Sequence, residues 1–393
     1  MAFDTGISAT NASSGTNPRV GASSMTNING LSQLPASGYA HDMHVYGEYF
    51  DSFEALAQFA GQKLSRNNQK NLFYRYDWLE SLHRHCLNDR AMRAYYVEAI
   101  DSKAHVWLFL SGTKIPGRFG PLANFYSFVT GPAFGGDYDE ITKLALLRKM
   151  AAIAAKGGHK IALDNVPDDN GEATLMRRAF RLTGWQMRHE QCDVNHILHV
   201  NGRNFDEYWR GRSGQMRSTV RRKARSHGIS TRIDTSLNKE NWGDYQHVYQ
   251  RSWKPDEASP EFLHELAHRE SEAGALRLGL AYKDGQAVAA QLWTVDNAIA
   301  LIHKLAYDEA EKKSSAGTIL SAALFQHVID NDKVDLVDFG TGDDPYKAGW
   351  MEETRPRYRQ VYYWPQSPLS WPDLAWHGAK RIISGLVDKS LND

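Results

Sequence analysis

Positions 276–309 read LRLGLAYKDGQAVAAQLWTVDNAIALIHKLAYDE, three strand-length apolar runs cut by two turn pairs. Asp284-Gly285 and Asp296-Asn297 suit chain reversal between antiparallel strands, so the runs predict a three-stranded meander. A loop of small and basic residues follows. Next come a helix-forming stretch, AGTILSAALFQHVIDND at 316–332, and the strand-like VDLVDFG. A meander that leads into a long helix and a further strand predicts a mixed α/β sheet with helices packed on it.

The first half of the chain has a similar order. RAYYVEAI and HVWLFLSG predict a strand pair around Asp101-Ser102, and SFVTGPAF at 127–134 predicts a strand ending in a turn. A helix is predicted over 139–157, stopped by Gly157-Gly158, and a short buried strand over 159–166. Further helices are predicted over 71–86 and in GEATLMRRAFRLTGW, with a Gly stop at 184. The second half opens on helices over 205–228 and in NWGDYQHVYQRSWK and PEFLHELAHRESEAG. The expected fold class is α/β (α+β), with domains at 44–202 and 203–365, each a mixed, largely antiparallel sheet flanked by helices.

The ends read differently. Positions 1–40 are rich in Ser, Asn, Gly, Thr and Ala and predict a disordered tail. Positions 366–393 predict a C-terminal helix, with apolar residues at helical spacing from 371 to 386. That helix either packs on the protein or, with Lys380 and Arg381 beside it, lies on a membrane surface.

Composition excludes several classes. Lys plus Arg and Asp plus Glu number 46 each among 393 residues, so a globally basic nucleic-acid binder is not indicated and no DNA partner is expected. Cys86 and Cys192 are the two cysteines, too few for a disulfide framework and without the spacing of a zinc site. No secretory leader and no 18-residue apolar run is present, so the expected location is cytoplasmic, with no transmembrane span. The oligomeric state is not legible.

The join between the third meander strand and the next helix carries the clearest chemistry. Glu311-Lys312-Lys313-Ser314-Ser315-Ala316-Gly317-Thr318 places small residues and two lysines at a helix N-terminus. Free N–H groups and partial positive charge there suit a pyrophosphate. The alternative is an ordinary Ser cap with solvated lysines. The helix RSTVRRKARSHG sets Arg217, Arg221 and Arg225 on one face, with Arg222 and Lys223 beside them. It is either a solvated face or a site for a phosphorylated or carboxylated ligand or transfer RNA.

This order of meander, small-residue loop, long helix and strand resembles that of GNAT-type acyltransferases. The family binds the coenzyme A pyrophosphate through an Arg/Gln-x-x-Gly-x-Gly/Ala loop. Lys312, Ser315 and Gly317 stand at those positions, and only the last keeps glycine. RSTVRRKARSHG, RSWK at 251–254, LAYDE followed by SSAG, and DFGTGDDPYKAGW are similar to one branch in particular. That branch holds the cellulose-biosynthesis-associated acetyltransferase-like proteins and, more distantly, the Fem-type aminoacyltransferases. The resemblance covers about 203–364 and implies two tandem GNAT-like domains.

It also implies roles. Acetyl-CoA or another acyl-CoA would be co-substrate, with Leu305, Ala306 and Tyr307 along the pantetheine arm. Lys312, Ser314, Ser315, Ala316, Gly317 and Thr318 would hold the pyrophosphate. The amine of a small molecule or amino sugar would arrive where the strands splay. His303, Asp343 and Asp344 are candidate bases, and Tyr346 is a candidate acid for the leaving thiolate. Trp253, Lys254 and Lys347 are candidate substrate contacts. By strand alternation His303 shares a face with Leu301, Leu305 and Tyr307. Each of these also has a purely structural reading, such as turn capping by the aspartates. Three functions follow: an acyl-CoA-dependent N-acyltransferase, a Fem-like enzyme using aminoacyl-tRNA, or a non-catalytic scaffold in polysaccharide or envelope biosynthesis.

Overall fold

The computed structural model describes residues 44–60 and 62–376, so the expected tail at 1–40 and the end of the C-terminal helix fall outside the described residues. The chain from Met43 onward forms one contact unit. The first half runs β1 (Val45–Phe50), α1 (Phe53–Ala60), α2 (Tyr76–Cys86), β2 (Met92–Ala99), β3 (His105–Gly112), β4 (Arg118–Pro121), β5 (Ala133–Gly135), α3 (Glu140–Gly157), β6 (Lys160–Val166), α4 (Glu172–Leu182) and β7 (Gln186–His199). The second half runs α5 (Phe205–Arg210), α6 (Gly214–Ser226), β8 (Ser230–Asp234), α7 (Lys239–Gln250), α8 (Pro260–Glu272), β9 (Leu276–Lys283), β10 (Gln286–Asp296), β11 (Ile299–Tyr307), α9 (Ala316–Asp330), β12 (Leu336–Thr341), α10 (Pro345–Trp350) and β13 (Glu353–Tyr363). Among the described residues no helix is long and apolar enough to cross a membrane.

The two expected sheets run together into one, in the order β1-β2-β3-β4-β6-β13-β7-β12-β11-β10-β9-β8, with β5 beside β3. Each half gives its last strand to the other. β7 pairs with β12, and β13 pairs with β6, while β7 and β13 pair with each other over eleven partners at the centre. A cut at 202/203 therefore separates β7 from the strand it completes.

Local chemistry explains the elements that were legible. Asp139 caps α3 by accepting from Thr142 N at 2.7 Å, and Leu146, Leu147, Met150, Ala151 and Ala154 are its buried stripe. The β9–β10 hairpin turns at Asp284 and Gly285, both at positive φ, as the sequence predicts. The β10–β11 turn sits one residue later than predicted, at Asn297 and Ala298, also at positive φ. SFVTGPAF is not a strand as predicted: only Ala133–Gly135 pairs, because Gly131 at φ 113 and Pro132 break the ladder before it.

Helices α1, α2, α7 and α8 cover one face of the sheet with a core drawn from both halves. Trp78 of α2 meets Phe262 of α8 edge-on at 5.2 Å, and both are fully buried. Truncating such a Trp costs about 3–5 kcal/mol. The opposite face carries α3 and α4 over the first half and α9 over the second.

Candidate active site

Strand divergence makes the site. Ile299, Ala300 and Leu301 of β11 pair in parallel with Leu336, Val337 and Asp338 of β12, and the pairing stops there. Beyond Leu301 the edge of β11 that faces β12 has no ladder partner. β12 itself stays paired with β7. The gap opens a cleft of about 300 Å³ whose walls include His303, Lys304 and Leu305 from β11, Phe339 to Thr341 from β12, and Asp344, Tyr346 and Lys347 after it.

The β10–β11 ladder slips between Leu292 and Trp293, where Lys304 and Ile302 are consecutive partners and His303 is skipped. His303 is thus the extra residue of a β-bulge. This corrects the predicted alternation. His303 lies on the Trp78 and Phe128 side, whereas Tyr307 packs with the α9 core. Its Nε2 shares a 2.8 Å hydrogen bond with Thr294 Oγ1. Burial, with the charge of Lys304 adding to it, lowers its pKa to about 3, so the imidazole is neutral at working pH.

Lys304 is held at 2.7 Å from Glu257, and Phe125 and Tyr126 surround its ammonium at 5.3 and 4.7 Å. That fixed cation changes its neighbour. Burial first, then repulsion by Lys304, lowers Lys254 to about 8. Lys254 lines the cleft, as does Trp253, whose exposed ring packs at a tilt 4.3 Å from Tyr307. The sequence marks Lys254 only as a substrate contact; a Lys with this pKa is a better proton acceptor than the neutral, deeply set His303.

The polar turn after β12 divides its residues. Asp344 caps α10, accepting from Tyr346 N at 2.9 Å, and also borders the cleft. Asp343 is exposed, points to His196 at 3.3 Å and is not part of the cleft wall. Lys347 donates to Thr341 O, and burial lowers its pKa. Tyr346 shares a 2.9 Å hydrogen bond with Ser321, which donates to Gly317 O at 3.0 Å, and burial raises its pKa to about 12. The phenol therefore stays protonated and is tied to the first turn of α9.

At the helix entry, 309–314 form a 3-10 turn and Ser315 adopts φ 58, ψ 30 without capping α9. Ser314 supplies the cap instead, its hydroxyl lying 3.3 Å from Ala316 N. The N–H groups of Gly317 and Thr318 belong to the open first turn. Gly317 is buried, and a Cβ there would touch the Tyr307 ring at 3.4 Å. Lys312 and Lys313 are exposed. The Lys223 ammonium, from α6, lies 2.6 Å from Lys313 O and 3.1 Å from Ser315 Oγ. Leu305 lines the cleft, and Ala306 is buried against the opposite core.

Sequence reasoning missed the first half's share of this site. Phe125 and Phe128 reach the cleft from the segment between β4 and β5. They form no periodic pattern that marks them. Gly340 of DFGTGDD has φ 69, and a Cβ there would meet Phe128 at 2.9 Å, so both the turn and the close approach of Phe128 call for glycine.

Residues 210–348 match the family model described as an acetyltransferase (GNAT) domain. No curated protein sequence matches significantly. Among solved structures, FemX superposes with TM-score 0.57 at 12% identity, covering 82% of this chain and 98% of its own. A conserved protein of unknown function from Bacteroides thetaiotaomicron gives 0.51 at 12% identity, with coverage of 81% and 100%. L-PGS from Bacillus licheniformis gives 0.50 at 13% identity, with coverage of 80% and 92%. Residues 210–348 thus match a GNAT acetyltransferase domain, and the chain is similar in fold to FemX.

Proposed function

We propose that the chain is an acyl-CoA-dependent N-acyltransferase that transfers an acyl group to an amine by direct attack. The observation that carries this reading is the unpaired edge of β11, which leads straight from the cleft to the open N-terminus of α9. An extended pantetheine arm would add to that edge as a strand does. Small residues and Lys223 at the helix entry suit its pyrophosphate. The acyl thioester would supply an activated carbonyl.

The chain's own groups would do the rest. Backbone N–H groups at the bulge, left without ladder partners, would donate to the carbonyl oxygen as negative charge develops there. Lys254, in its neutral form, would take the proton from the attacking ammonium. The amine nitrogen then bonds to the acyl carbon as the carbon–sulfur bond breaks. Tyr346 would give a proton to the leaving sulfur and recover one, through water, from the acylated nitrogen, which sheds its second proton as the amide forms. Phe125, Phe128 and Trp253 would exclude water. Calorimetric titration with acetyl-CoA tests the reading: saturable binding supports it, and no binding at millimolar ligand overturns it.

A second donor is favoured by one observation. Arg217, Arg221, Arg222 and Arg225 of α6 have no carboxylate partner among the described residues, and α6 touches the helix entry through Lys223. Such a face suits the phosphates of an aminoacyl-tRNA, the Fem-like alternative. Salt-sensitive retention of tRNA, without acetyl-CoA binding, would select it. A cytoplasmic location and a role in polysaccharide biosynthesis belong to the same proposal. A non-catalytic scaffold would bind neither donor.

A further inference from the structure

A second cavity, of about 340 Å³, lies where the two halves meet and shares no wall residue with the cleft. The Thr294–His303 hydrogen bond links it to the cleft, Thr294 lining one and His303 the other, and the Phe73 and Phe128 rings meet beside it at 4.9 Å. Its charged groups are buried and incompletely matched.

Arg75, 1% exposed, donates through Nε to Gln69 O at 3.1 Å and through Nη2 to Asp296, leaving Nη1 buried without a partner. Arg357, also 1% exposed, reaches Asp169 at 3.2 Å and Asn195 at 2.9 Å through its two Nη atoms, leaving Nε without one. Glu270 is fully buried. Its Oε1 lies 2.6 Å from Arg66, and its Oε2 has no partner. Arg66 and Arg75 share the same Asp296 oxygen, so Glu270 and Arg75 belong to one connected cluster.

Buried charged groups are almost always fully hydrogen-bonded, and an open valence on one carries an uncompensated desolvation cost. Two spare donors and one spare acceptor around one cavity define a ligand. The donors ask for a carboxylate, and the acceptor asks for an ammonium. A phosphate would meet Glu270, Asp296 and Asp169 with too much negative charge, and an amino sugar would leave both arginines unmatched. Leu72, Phe73 and Leu301 supply an apolar wall for a side chain. The volume sits at the small end of ligand pockets, roughly 300–1,000 Å³.

We propose that this cavity binds a free α-amino acid. Its position one hydrogen bond from the cleft suits an acceptor amine, but the binding claim does not depend on acyl transfer.

The test is calorimetry of the full chain against the twenty amino acids, with no acyl donor present. Decarboxylated and deaminated analogues of the best binder serve as controls. At least one amino acid is expected to bind with submillimolar Kd, each analogue about tenfold or more weaker. Glu270→Gln should weaken the amino acid but not the deaminated analogue. Arg357→Gln should weaken both, and gives an independent reading if the first variant misfolds. Absence of binding by any of the twenty at 10-fold above about 1 mM, or equal binding of an analogue, overturns the proposal. Acetyl-CoA is absent throughout, so this failure is distinct from failure of the acyltransferase reading.

Discussion

His303 Nε2 and Thr294 Oγ1 lie 2.8 Å apart, joining the bulge of β11 to β10 at the floor of the cleft. The bond holds an imidazole that burial has made hard to protonate. In the unfolded chain it titrates near 6.5, whereas in the fold it titrates at about 3. Between those values the unfolded state binds the extra proton, so stability is fully present above 6.5 and is lost as pH falls toward 3. His303→Asn keeps a polar partner for Thr294 but does not titrate. Urea midpoints of the two proteins should converge as pH drops from 7 to 4.5, by about 1–2 kcal/mol after allowing for the partly open cleft. A constant difference across that range would show that His303 is readily protonated in the fold.

Lys254 predicts the pH dependence of catalysis. With its pKa near 8, kcat/KM should rise with pH through a limb at about 8 as the neutral amine forms. Lys304→Met removes the repelling cation and leaves Glu257 nearby, so the limb should move to higher pH. Lys254→Met should lower kcat by about 10²–10⁴-fold with little effect on acetyl-CoA affinity. An unchanged limb in both variants would assign the base elsewhere.

At the helix entry, Gly317→Val tests where the pyrophosphate sits. The new Cβ would touch Tyr307 at 3.4 Å, and the branching methyls would crowd the strand edge and the first turn of α9. Acetyl-CoA affinity should fall about 30-fold or more, roughly 2 kcal/mol, while the melting temperature changes little. A large fall in melting temperature with unchanged affinity would place Gly317 in packing alone.

These sites differ in how far the sequence disclosed them. The meander, α3 and α9 were legible because period, caps and turn pairs agree within each segment. The bulge at His303 was not, since one skipped residue changes no local pattern yet reverses the face of everything after it. β7 and β13 were missed for a different reason. QMRHEQCDVNHILH and ETRPRYRQVYY read as polar, but in the centre of the sheet Asn195, Asp338 and Arg355 satisfy one another across the strands, at 2.7 Å for both Asn195–Asp338 and Asn195–Arg355. Burial there follows from pairing distant in sequence, which periodicity does not report. Lys254 was legible as a substrate contact, but its lowered pKa was not, because that comes from burial first and then from Lys304, fifty positions away.

The exchanged strands make the last prediction. A fragment of residues 203–365 contains the whole GNAT match but lacks β7. Without it, β12 loses its antiparallel partner, and Ile197 and Leu198, both fully buried, are missing from the core. Each such side chain contributes about 1.5–3 kcal/mol, and the uncovered edge of β12 invites pairing with another copy. Expressed alone, the fragment should therefore be unfolded or self-associated by chromatography and circular dichroism. Expressed together with residues 44–202, it should give a one-to-one complex, because β7 and β13 can then cross as they do in the intact chain. A monomeric fragment that melts like the full chain would mean that β13 can take the place of β7, and that the exchange is dispensable for folding.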